Sequence, residues 1–104
     1  METKNWSAWI DLMPPGPKTL HVQGEVRVGT PTSKAVLSPK VPPGINPTIL
    51  QLDLKIEPHA GPAVMTWVKA RYDVAIAPGE TAPSQVEIIS GGKSLATMSV
   101  KEVH

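Results

Sequence analysis

A chain of 104 residues, 40% hydrophobic and 18% charged, carries enough apolar material for one core and too little charge for a disordered polymer, which predicts a single domain over residues 1–104. Ten Lys and Arg against nine Asp and Glu leave a net charge of +1, so no whole-molecule field draws the chain to nucleic acid or anionic lipid. The absence of Cys removes disulfides, thiolate metal sites and thiol nucleophiles together, so stability must come from packing.

The opening METKNWSAWIDLM has no basic start followed by an apolar run of signal-peptide length, and no stretch approaches the ~20 apolar residues of a membrane span. The expectation is a cytoplasmic location without membrane contact. In this first segment Trp6, Ala8, Ile10 and Leu12 alternate as in a strand, whereas Trp6, Trp9, Ile10 and Met13 fit helical spacing. The β character of the remaining chain favours the strand.

Twelve prolines cut the chain into short pieces, because Pro lacks the donor that helix interiors and central strands need. Between them the dominant period is two. Over Thr19–Val28, Leu20, Val22, Val26 and Val28 alternate with His21, Gln23, Glu25 and Arg27, and Gly24 completes the apolar side. Residues 35–41 form a shorter candidate. Over residues 48–57, Leu50, Leu52, Leu54 and Ile56 take one face and Gln51, Asp53, Lys55 and Glu57 the other.

Residues 64–77 place Val64, Thr66, Val68, Ala70, Tyr72, Val74 and Ile76 on one face, and a strand of that length is expected to bulge or bend so that its ends serve different sheets. Residues 86–89 and 95–103 follow, with Gly91-Gly92 as the hairpin turn between them. A two-residue loop sets Ile88 against Leu95. A three-residue loop sets Val86 against Ala96 and groups it with Met98 and Val100; it gathers more apolar surface and is the expected form, with Leu95 turned outward.

Strand count and spacing together predict an all-β fold, an antiparallel β-sandwich of about seven immunoglobulin-like strands. Opposite charges suggest an antiparallel pairing of the second and fourth segments, Arg27 facing Asp53 and Glu25 facing Lys55.

Chemistry is harder to find. His21, Gln23, Glu25 and Arg27 share a strand face, but residues four apart in a strand lie about 13 Å apart, too far for His21 and Glu25 to share one ion. A solvated polar face with cross-strand pairs is the simpler reading. His59, in the turn EPHAGP, and the terminal His104 could join His21 only through tertiary folding; no Ser sits in a nucleophile turn and the glycines form no phosphate loop. No catalytic residue, metal ligand or cofactor is therefore expected.

Aromatic residues are few, with no Phe, one Tyr and three Trp, so the place of each Trp matters. By alternation Trp67 shares its strand face with Lys69, Arg71 and Asp73, where an exposed indole could stack on a sugar, a base or a partner side chain. The competing reading has the strand change face at a bulge and Trp67 fill a rim. At least one of Trp6 and Trp9 is read as core, with an apolar arm that docks on another subunit as the alternative. The PxxP spacings Pro14 to Pro17 and Pro39 to Pro42 are read as rigid, proline-rich loops.

The leading expectation is a non-enzymatic binding or assembly module for a protein partner, in its simplest form self-associating. The second is a small-ligand or carbohydrate-binding face built on Trp67, Lys69 and Arg71. A small metal-dependent hydrolase comes third.

Overall fold

A computed structural model describes residues 2–12, 18–40, 48–77, 79 and 82–103. Seven strands follow in chain order: β1 Thr3–Asp11, β2 Thr19–Val28, β3 Lys34–Pro39, β4 Ile49–Glu57, β5 Thr66–Ala75, β6 Gln85–Ser90 and β7 Lys93–Val103. No helix occurs among the described residues. Accordingly, none of them forms a helix long and apolar enough to cross a membrane. The strand reading of the first segment holds: Trp6, Ala8, Ile10 and Leu12 all pack on the core.

All seven strands join one sheet in the order β3-β4-β6-β7-β1-β2-β5. It curls nearly into a barrel, with the edge strand β3 packed beside the other edge strand β5. The sheet is mixed. β1 runs parallel to β7 over Ala8–Asp11, and β4 runs parallel to β6; the remaining neighbours are antiparallel. This corrects the expectation of a purely antiparallel sandwich. Alternation in the sequence fixes which face of a strand is apolar and is silent on the direction of its neighbour.

The core is aliphatic. Leu20, Val22, Val26, Leu52, Leu54, Val86 and Ile88 are its most deeply buried side chains, all from β2, β4 and β6, and each of these strands has a hydrogen-bonded neighbour on both sides. Strands inside a sheet that keep one polar face read as clean alternation, and β2 and β4 are the two segments where that alternation is most regular.

The proposed pairing of the second and fourth segments does not form. β2 lies between β1 and β5, so Arg27 faces Trp67 and Glu25 faces Lys69, while Asp53 lies opposite Ser38 and Ile89 and Lys55 opposite Val36. Alternating charges recur on several strands of this chain, so opposite-sign register alone selects no unique partner.

Bulges also fall elsewhere than expected. β5 pairs with β2 without a break from Thr66 to Ala75, and Val64 lies outside it, exposed. The register shifts occur in β1, where Asn5 and Trp6 together oppose Gly24, and in β7, where Leu95 is the extra residue.

The second bulge settles the hairpin. Ser90 faces Lys93 across a two-residue Gly91-Gly92 turn whose residues have φ of 58° and 81°, the left-handed pair that a tight hairpin turn needs. The three-residue loop is not used. The bulge instead turns both Leu95 and Ala96 to the core and then sets Val86 against Met98, which recovers the apolar grouping by another route.

Candidate functional site

Because β2 is flanked by β1 and β5, the polar sides of three strands merge into one outer surface. Its rungs follow from the register: Trp9 with His21 and Asp73, Ser7 with Gln23 and Arg71, Lys4 with Glu25 and Lys69, and Arg27 with Trp67. The three residues singled out by sequence, Trp67, Lys69 and Arg71, therefore share a face with the polar row of β2. Trp67 keeps the polar side that alternation assigns it and does not turn into a rim.

Cross-strand pairs organise this surface. Arg27 Nη1 donates to both carboxylate oxygens of Glu2 at 3.3 Å. Asn5 Nδ2 donates to Glu25 Oε2 at 3.0 Å, with the Lys4 ammonium 3.8 Å from the same oxygen. That ammonium also sits 4.1 Å from the Trp67 ring centroid, a cation placed on the electron-rich face of the indole. One face of Trp67 is thus already covered by the protein itself.

A second group links all three strands. The Trp9 and His21 rings lie 5.3 Å apart, His21 Nδ1 donates to Asp73 Oδ1 at 2.5 Å, and Arg71 Nε donates to Asp73 Oδ2 at 3.1 Å. The hydrogen bond from His21, aided by the Arg71 charge and partly opposed by burial, holds the Asp73 carboxyl below its ordinary 3.8. Sequence reasoning missed this chain. His21 and Asp73 are 52 positions apart, and only the β2 to β5 pairing brings them together.

Between these groups lies a cleft of about 300 Å³ lined by Asn5, Gln23, Gly24, Glu25, Lys69, Ala70 and Arg71. It opens at the β1 bulge, where Asn5 takes a left-handed φ of 56°. Asn tolerates that region better than most residues. The bulge was invisible in the sequence because alternation around it reads as an ordinary strand. A second groove of about 440 Å³ runs between β1 and β7, lined by Trp6, Trp9, Met98 and Val103 among others.

The histidines do not converge into a metal site among the described residues, which hold no group of three His, Asp or Glu side chains placed for one ion. His59 sits in the turn after β4, its carbonyl accepting from the Thr30 and Thr32 hydroxyls. His104 lies outside the described residues, as do Pro14, Pro17 and Pro42 of the two PxxP spacings; Pro39 closes β3. Trp6 packs on the core, while Trp9 is half-buried on the outer face.

Three apolar side chains stand exposed where the chain enters β5: Val64 at 53%, Met65 at 59% and Trp67 at 36%. Of these, Trp67 stands opposite Arg27. No protein-family model, curated protein or solved structure matches the chain.

Proposed function

We propose that the chain is a non-enzymatic binding or assembly module that engages a protein partner, in its simplest form a second copy of itself, through the outer face of β1, β2 and β5. The observation that carries this reading is the exposed run of Val64, Met65 and Trp67 beside rungs of paired charges. Contiguous exposed apolar surface rimmed by polar groups marks contact sites, and Trp with Arg at its border is the composition of interface centres. We read the scaffold as a variant of an immunoglobulin-like sandwich whose last strand joins the two layers, a plan that brings no function with it.

Light scattering coupled to size exclusion over a range of concentrations tests the simplest form. A dimer or larger species that Trp67→Ala and Met65→Ser each disrupt supports it. A monomer at every concentration overturns self-association.

The cleft favours a second reading, a small-ligand or carbohydrate site using Lys69 and Arg71. Its volume of about 300 Å³ is at the lower end of the range that small-molecule pockets occupy.

A further inference from the structure

We infer that the cleft beside Lys69 and Arg71 takes an acidic saccharide, a polyol bearing a carboxylate, in preference to a neutral sugar. This rests on the small-ligand reading above and concerns the chemistry of that same cleft.

Uncommitted donors outnumber uncommitted acceptors around the cleft. Of the five polar side chains lining the cleft, Glu25 carries the only negative charge. It is already engaged by the Asn5 amide at 3.0 Å and the Lys4 ammonium at 3.8 Å. Arg71 gives its Nε to Asp73, which fixes the guanidinium plane and leaves its two terminal nitrogens without partners among the described residues. Lys69 and Gln23 likewise have no side-chain partner there.

The uncommitted groups are therefore an ammonium, the open end of a guanidinium and a primary amide. Lys69 and Arg71 stand two residues apart on one strand face, about 6.8 Å along β5, a spacing that lets one carboxylate reach both cations through their flexible stems. An ionised acceptor makes the stronger hydrogen bonds with such donors. Gln23 and the carbonyl of Asn5 remain for hydroxyl groups.

Trp67 is not the stacking platform here, because it does not line the cleft. The selectivity resides in Lys69 and Arg71.

The test is a titration followed by two-dimensional NMR, with glucuronic acid and glucose as probes, on the intact chain and on Lys69→Met, which keeps the aliphatic stem and removes the charge. Saturable shifts at Asn5, Gln23, Lys69 and Arg71 with glucuronic acid, weakened roughly tenfold for glucose and for Lys69→Met, are the expected result, since one charged hydrogen bond contributes about that factor. Lys69 is an exposed strand residue, and an unchanged spectrum elsewhere shows that the variant folds. Equal affinity for glucose overturns the acidic preference while leaving a saccharide cleft standing. No saturable shift with either sugar overturns both. Glucuronic acid shifts that Lys69→Met does not weaken place the charge recognition elsewhere and also overturn the inference.

Discussion

The indole of Trp6 lies against Gly24, so closely that a Cβ built on Gly24 would stand 2.7 Å from Trp6 Cζ3 and nearer still to two other ring atoms. Gly24 is the inward-facing position where the apolar row of β2 lacks a side chain, and the β1 bulge delivers Trp6 into that gap. The glycine and the tryptophan fill one site between them. Gly24→Ala is accordingly expected to destabilise the fold by about 1–3 kcal/mol, the cost of overpacking a filled core position. Urea denaturation measures it; an unchanged midpoint would show that the ring does not rest there.

The hairpin yields a contrast between neighbours. Both turn glycines have positive φ, a region that costs an ordinary L-residue about 1–2 kcal/mol. Gly92→Ala should lose that amount, whereas Gly91→Asn should be nearly neutral, because Asn-Gly is the preferred pair for this turn. Equal losses at the two positions in thermal unfolding would contradict the two-residue turn.

Asp73 gives a pH dependence whose sign is set by its lowered pKa. Being more acidic folded than unfolded, it adds stability in full above its ordinary 3.8, and that contribution disappears as the pH falls through the lower folded value. The pair is partly exposed, which limits its worth to about 1 kcal/mol or less. Asp73→Asn should therefore be less stable than the parent at neutral pH and converge with it in strong acid. A gap that persists well below 3.8 would assign the effect to something other than the carboxylate charge.

Glu87, on the opposite half of the sheet, follows the same rule with a different cause. Gln51 Nε2 donates to Glu87 Oε1 at 2.8 Å, and this bond, with help from Ser94 and the Lys40 charge, holds the carboxyl below its ordinary 4.5. Gln51→Met should move the Glu87 titration, followed by carboxyl NMR, back up towards 4.5. A titration that does not move would mean that Gln51 points elsewhere in solution.

The Lys4 ammonium over Trp67 is worth about 0.5–1 kcal/mol at an exposed site. Lys4→Ala should lower stability by no more than that and increase quenching of Trp67 by iodide, read by difference against Trp67→Phe. Unchanged quenching would show that the lysine does not cover the ring.

Much of the candidate surface was legible before any tertiary information. The outward phase of Trp67, Lys69 and Arg71 on β5, and of His21, Gln23, Glu25 and Arg27 on β2, followed from alternation, and the structure keeps it. What could not be read was that these two rows are neighbours. The charge pattern suited β4 as a partner of β2 at least as well, and His21 with Asp73 left no local trace because each residue looks like an ordinary solvated position in its own strand.

The all-β character, the rough limits of seven strands and the inward or outward sense of nearly every side chain in them are written in local sequence. Those are local properties, imposed by proline placement and by the two-residue repeat of a pleated backbone. Partners, direction and register emerge in the folded sheet alone. The parallel contacts of β1 with β7 and of β4 with β6, the bulge that seats Trp6 on Gly24, and the merging of three polar rows into one face all depend on how apolar surfaces of similar size pack together. Many pairings would satisfy the same alternation, and the choice among them rests on long-range packing that no single segment encodes.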